Sequence, residues 1–341
     1  MIKKKVSIFD IAKSLGVSKT LISLVLNNKG DKSGISKITQ KKVWDKVAEM
    51  NYVPNLMAKG LRLGRTNTIG LIVSDISNVF YSKIARNIED YVSKAGYNLI
   101  ICSTDENTEK EISLIKMLRE RQVEGLIISS SQQSGVCFQA MLDEGFPFLL
   151  IDRKCNEIES NYVIVDNFDG AYNGIEMLIK KGYNKIAAFG ISPEYTTSVN
   201  SRIDGYLKAI KASGLDYDRK YLKIIPFDNV QESVEKELDL LLQGDDKINA
   251  IFAVNNNIAL ACIEYLNKKN INIPTDVALL CFDDVPLFKL TNPQISAIAQ
   301  PIEAICENAV DILVNEIIKK DVNLPKREVV LSTELIIRKS F

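Results

Sequence analysis

The chain contains no histidine. That absence excludes Ser-His-Asp and Cys-His nucleophilic catalysis, imidazole acid–base chemistry and every metal site that needs an imidazole. Carboxylate or lysine chemistry stays open, but no enzyme, cofactor or metal is expected. The six cysteines (Cys102, Cys137, Cys155, Cys262, Cys281 and Cys306) form no C-x-x-C pair, so they read as reduced, mostly buried apolar residues. No apolar run approaches the ~18 residues of a membrane span, and no apolar segment follows the N-terminal lysines before Asp10. Neither a membrane nor a signal peptide is therefore expected, and the compartment reads as cytoplasmic. Phosphate-loop signatures are also missing. Gly60-Leu-Arg-Leu-Gly-Arg65 lacks the spacing and the lysine of G-x4-G-K-[ST], and no G-x-G-x-x-G follows a strand.

What is present is a soluble globular composition, 46% apolar over 341 residues, long enough for a small domain joined to a two-lobed one. The balanced charge conceals an asymmetry. Residues 1–65 hold 14 Lys and Arg against 4 Asp and Glu, while the rest hold 29 against 39. A basic head on an acidic body points to a polyanionic partner for the head.

Ser7-Ile-Phe-Asp10 has the form of a capping box, followed by Ile8, Ile11, Ala12 and Leu15 at helical spacing. Gly16 stops that helix and Ser18 caps a second, with Ile22, Val25 and Leu26 inward. A third is predicted over residues 37–50, with Val43, Val47 and Met50 on its inner face. Two short helices around a glycine turn form the helix-turn-helix pattern.

The segments Val17-Ser-Lys-Thr-Leu-Ile-Ser-Leu-Val-Leu-Asn27 and Asn51-Tyr-Val-Pro-Asn-Leu-Met-Ala-Lys-Gly-Leu-Arg62 closely resemble the LacI/GalR (lactose-repressor) family. The resemblance implies a DNA-binding headpiece over 1–53, a hinge helix over 54–65 and an effector-binding, dimerising body over 66–341. It places Lys19, Thr20 and Leu24 at base-reading positions. Lys19 suits guanine and Thr20 a hydrogen bond or a thymine methyl. The family commonly has arginine at the position of Leu24, which either touches a thymine methyl or packs on the headpiece. Ser18, Asn27, Thr39 and Arg62 are expected at phosphates. Leu61 is expected to wedge into a minor-groove base step, with the small Ala58 letting two hinge helices approach. Gly60 weakens helix formation off DNA. The connection Gly30-Asp-Lys-Ser-Gly-Ile-Ser36 looks a few residues longer than the family norm.

From Thr68 onward short apolar runs alternate with amphipathic stretches: 69–73, 97–102, 125–129, 148–151, 163–165, 186–189, 221–225, 250–254 and 277–282 read as strands. Residues 81–95 and 230–243 read as helices. Alternation of this kind predicts parallel sheets covered on both faces, and nine strands suggest two lobes. The polar stretch 152–161 marks the expected break. The first lobe is expected over roughly 66–164 and 294–325, the second over 165–293 and 326–341. This is the α/β two-lobed, periplasmic-binding-protein-like body that the family resemblance implies.

Ligands in such sheets sit beyond the carboxyl ends of the strands. Ser74, Asn78, Ser129, Asp152, Asn255 and Asp283 fall there, with Phe80 and Tyr81 able to stack on a sugar ring. Matched to the family's motifs, Ser198-Val-Asn-Ser-Arg-Ile-Asp-Gly205 supplies the effector-binding Arg202, Ala253-Val-Asn255 the asparagine and Cys281-Phe-Asp-Asp284 the aspartate. Arg202 reads alternatively as an interlobe ion pair, Asn256 as a helix cap, and Gln300 as reaching either the cleft or backbone. The implied protein is a cytoplasmic, nucleoid-associated homodimeric regulator, expected to be a repressor, that binds near-palindromic double-stranded operator DNA under control of a sugar or sugar derivative. A plain sugar receptor and an architectural DNA protein without effector are the rival readings. No heptad tail follows Glu328, so a coiled-coil tetramer is not expected.

Overall fold

The computed structural model describes residues 6–52, 65–215, 218–244, 246–319 and 325–341. The chain divides into two compact units, Met1–Thr66 and Asn67–Phe341.

In the first unit, α1 (Ile8–Leu15), α2 (Lys19–Leu26) and α3 (Lys37–Glu49) enclose a small core of Ile11, Ala12, Ile22, Val25 and Val43. Val47 and Met50 pack against that core partly buried. The local chemistry matches the sequence pattern. Asp10 Oδ2 accepts the Ser7 N–H at 2.9 Å while Ser7 Oγ accepts the Asp10 N–H, a reciprocal capping box. Gly16 turns the chain at φ 64°, a left-handed conformation that side chains with a Cβ adopt at a cost. Ser18 Oγ then accepts the Leu21 N–H at 3.1 Å and starts α2. The long connection is ordered by a short 3-10 turn, Asp31–Ser33, fastened to α3 because Gln40 Nε2 donates to Asp31 Oδ1 and to the Ile35 carbonyl.

The second unit holds two six-stranded sheets. The first is ordered β11-β5-β4-β3-β1-β2, from β1 (Thr68–Val73), β2 (Asn98–Ser103), β3 (Gly125–Ile128), β4 (Phe148–Ile151), β5 (Tyr162–Val165) and β11 (Glu328–Leu331). The second is ordered β12-β10-β9-β8-β6-β7, from β6 (Ile186–Ile191), β7 (Leu222–Ile225), β8 (Ala250–Ala253), β9 (Ala278–Phe282), β10 (Ser296–Ala299) and β12 (Glu334–Ile336). Every pairing is parallel except β10 with β12. The inner strands β3, β4, β6, β8 and β9 are buried along their whole length, as parallel strands with helices on both faces must be. The helices are α4 (Val79–Lys94), α5 (Thr108–Glu120), α6 (Val136–Asp143), α7 (Asn167–Lys180), α8 (Thr197–Ala212), α9 (Val230–Leu241), α10 (Asn256–Lys268) and α11 (Ile302–Lys319).

The lobe boundaries differ from the sequence reading. Leu150 pairs with Tyr162, so residues 152–161 join two strands of the first sheet and do not separate the lobes. Ser296 pairs with Leu280, which puts 296–299 in the second lobe, and Val329 pairs with Val163, which puts 328–331 in the first. The chain thus crosses three times: after Val165, between Ala299 and Ile302, and between Leu331 and Glu334. Strand pairing depends on distant partners, which local polarity does not report.

One close approach sets up the site. A Cβ on Gly205 would stand 2.4 Å from the Phe168 carbonyl oxygen and 3.0 Å from the Ala171 Cβ. Only glycine lets α8 pass so near α7, and that contact brings Arg202 alongside Asn167.

Candidate functional site

The carboxyl ends of the two sheets face one narrow cleft, with about 40 Å3 of enclosed space. Of the effector residues expected from sequence, Ser74, Asn78, Phe80, Tyr81, Asp152, Ser198, Arg202, Asn255 and Asp283 line it together. Its centre is Arg202, 4% exposed. The guanidinium stacks on the Phe282 ring with its carbon 3.8 Å from the ring centroid. Nε donates to Asn167 Oδ1 and Nη1 to the Val254 carbonyl, both at 2.8 Å. Asp152 of the first lobe and Asp283 of the second each bring a carboxylate oxygen to 3.9 Å from the guanidinium. Arg202 is therefore both an interlobe electrostatic link and a planar donor set with N–H groups left for a ligand.

Both aspartates follow directly on a strand and take positive φ, 63° at Asp152 and 81° at Asp283. Such conformations are held against local preference by the surroundings and cluster at functional sites. Asp152 Oδ2 accepts the Tyr81 phenol at 2.9 Å. Burial pushes that phenol well above its ordinary pKa; Arg153 opposes the shift, and Asp152 and Glu106 add to it, so Tyr81 acts as a donor. Burial also raises the Asp283 carboxyl, against the pull of Arg202 and of the Gln300 hydrogen bond.

The geometry corrects three expectations. Ser129 does not line the cleft: it is buried beneath two residues that do, 3.1 Å from the Tyr81 hydroxyl and 3.3 Å from Asp152 Oδ2. Gln300 also stands off the main cleft. It borders a small adjoining cavity and bonds no backbone; its Nε2 donates to Asp283 Oδ1 at 2.6 Å. Asn256 is not the helix cap. Asn255 Oδ1 caps α10 by accepting the Ile258 N–H at 3.0 Å, while Asn256 is wholly buried and gives its backbone N–H to Asp283.

Sequence reasoning missed Glu106, Arg153, Asn167, Phe227 and Phe282. Arg153 forks onto Glu106, with Nη1 to Oε2 at 2.7 Å and Nη2 to Oε1 at 2.5 Å, both side chains 8% exposed. Burial works against the Glu106 carboxylate, but Arg153 and the Ser74 hydroxyl outweigh it and hold the carboxyl below its ordinary value. The available signal was position, since Glu106, Arg153 and Phe227 each follow the end of a strand as the expected residues do.

In the headpiece, Ser18, Lys19 and Thr20 are exposed at the start of α2. Lys19 Nζ lies 4.7 Å above the Phe9 ring. Leu24 is half-buried and absent from the side chains packed on the headpiece core, although Leu21, Ile22, Val25 and Leu26 of the same helix all join it. Asn27 ends α2 with its amide donated to the Ser23 carbonyl at 2.7 Å, and the Thr39 hydroxyl lies 2.9 Å from that of Ser36. Leu61 and Arg62, with Ala58 and Gly60, lie outside the described residues. Among the described residues no helix is long and apolar enough to cross a membrane.

A helix-turn-helix unit joined to a two-lobed α/β binding body defines a class of ligand-responsive DNA-binding proteins, and the comparisons specify it. Residues 7–55 match the model of bacterial regulatory proteins of the lacI family, and residues 175–341 that of periplasmic binding protein-like domains. The chain is 32% identical over 336 residues to the HTH-type transcriptional regulator RegA of Clostridium saccharobutylicum, covering 98% of both. It is 33% identical over 302 residues to DegA of Bacillus subtilis, covering 88% of both. Its fold superposes on the lac repressor dimer bound to operator and the anti-inducer ONPF with a TM-score of 0.83 at 22% identity, covering 99% of each chain. The transcriptional regulator CelR in complex with cellobiose gives 0.70 at 25% identity, over 99% of this chain and all of that one. The chain belongs to the LacI family and is a DNA-binding transcription regulator.

Proposed function

We propose that this regulator is a homodimeric, cytoplasmic repressor that binds a near-palindromic operator and is controlled by a neutral, polyhydroxylated effector, a sugar or sugar derivative, in the interlobe cleft. The observation that carries the reading is Arg202, held flat on Phe282 between Asp152 and Asp283. A planar donor beside carboxylate acceptors and the aromatic Phe80 and Phe227 matches the hydroxyls and apolar face of a sugar ring. The flanking carboxylates disfavour an anion.

Lys19, Thr20 and Leu24 read base edges from α2, and Ser18, Asn27, Thr39 and Arg62 hold phosphates. Two copies match the two-fold symmetry of the operator. Leu61 wedges into the minor groove between half-sites.

The test starts from duplexes selected out of a random pool by the full chain. A sugar panel is then screened by thermal shift and by its effect on affinity for the selected DNA. One sugar should stabilise the parent and alter its DNA affinity, and Arg202→Ala should abolish both effects. A normal response in that variant removes Arg202 from the site. Leu61→Ala should weaken DNA binding and spare the sugar; unchanged DNA affinity rules out the wedge.

A further inference from the structure

A second cavity of about 240 Å3 adjoins the effector cleft, lying farther out between the lobes. Arg153 lines both, so the two compartments are neighbours on either side of that residue. Their chemistry differs. The inner one is dominated by buried charges, whereas most of the outer wall is neutral amide and hydroxyl.

Two features make the outer compartment a built enclosure and not a surface dimple. Tyr195 of the second lobe donates its phenol to the Ser131 carbonyl of the first at 3.0 Å. Thr197 Oγ1 accepts the Lys154 N–H, also at 3.0 Å. These interlobe bonds set the width of the mouth, and Tyr195, 38% exposed, presents ring surface there. Between them stand Gln133, Asn156 and Asn200, exposed carboxamides whose side chains make no hydrogen bond among the described residues. Each offers a carbonyl acceptor and two N–H donors.

Of the two cations of this compartment, one is paired with a carboxylate. Arg153 is neutralised by Glu106 at 2.5 Å, and Lys154 Nζ lies over the Tyr162 ring at 5.4 Å. Glu157 adds a negative charge to the wall. A phosphate would find Lys154 as its one cation without a carboxylate partner among the described residues, turned to the Tyr162 ring and opposed by Glu157, while a ring of hydroxyls would find unpaired amides and an aromatic edge. We infer that the outer compartment is a second sugar subsite, and that the effector is a neutral disaccharide or larger glycoside with one ring on Arg202 and the next between Gln133, Asn156, Tyr195 and Asn200. This rests on the sugar reading of the inner cleft.

The experiment is calorimetry on the full chain with gluco- and galacto-configured disaccharides, the matching methyl monoglycosides and the matching sugar phosphates. A disaccharide should bind roughly tenfold or more tightly than its methyl monoglycoside, the difference expected from a few added hydrogen bonds. Asn156→Ala/Asn200→Ala should erase most of that advantage, its loss falling on the disaccharide and not on the monoglycoside. Both substitutions are at exposed side chains without hydrogen bonds, and circular dichroism and operator binding of the variant check that it is folded. Monoglycosides binding as tightly as disaccharides, or a disaccharide advantage that survives in the variant, overturns the second subsite alone. Preferential binding of sugar phosphates overturns its neutral character. Binding by none of the three classes overturns the sugar reading of the whole cleft.

Discussion

Asp283 sits at φ 81° with its carboxyl buried, and the cost of that burial is expressed in its raised pKa. A group whose folded pKa lies above its unfolded value contributes stability while protonated and loses it as pH rises through the folded value. Above that folded value the charged Asp283 therefore destabilises the body, a cost retained for binding. Asp283→Asn keeps a residue type that tolerates left-handed φ and keeps an acceptor for Gln300. It should raise the melting temperature at pH 7 and weaken effector binding, read by thermal unfolding and calorimetry on the same sample. Glu106 has the opposite sign. Its pKa is lowered, so its contribution is present above the unfolded value and is lost as pH falls through the folded one. Glu106→Gln leaves Arg153 buried beside Asp152 at 3.4 Å as its remaining carboxylate. The body should lose about 3 kcal/mol, the low end for a broken buried pair, measured by urea unfolding.

Among the elements, α2 shows most directly how a pattern becomes a surface. Ile22 and Val25 at helical spacing turn one face to the core, and Ser18 fixes where the helix begins, which leaves Lys19, Thr20 and Leu24 outside. Ser18→Ala should cost the headpiece about 1 kcal/mol through the lost cap. Leu24→Arg adds a bidentate donor on the same face. It should shift base preference at one position of each half-site toward guanine by roughly 1–3 kcal/mol, read by competition between duplexes differing at that pair. These features were legible because capping and periodicity act within a few residues. In the body the strand cores were equally legible as apolar runs, and β10, β11 and β12 were not. The edge strand β11 is half-exposed, with Val330 54% exposed, so its apolar content does not separate it from a loop.

At the scale of the molecule, the site and the crossovers share residues. Asn167, which receives Arg202 Nε, follows the first crossing, and Gln300, which bonds Asp283, sits on the second. A ligand that pulls on Arg202 and Asp283 therefore acts on two of the segments that join the lobes. Coupling between effector and DNA must be reciprocal, each changing the other's affinity by one factor. Gln300→Ala should bring that factor toward one while the effector still binds, measured by titrating operator with and without saturating effector and the effector with and without operator. An unchanged factor would place the coupling elsewhere.

The basic head, the helix-turn-helix, the strand–helix alternation and most of the cleft residues follow from the amino-acid order alone. They depend on charge totals, on periods of two to four residues and on motifs read within one segment. The tertiary structure alone decided which strands cross between lobes, that Ser129 supports and does not line the cleft, that Asn255 and not Asn256 caps α10, and that Glu106 neutralises Arg153. Each of those depends on groups far apart in the chain, 47 residues apart for Glu106 and Arg153, which meet only when parallel strands bring their ends to one edge.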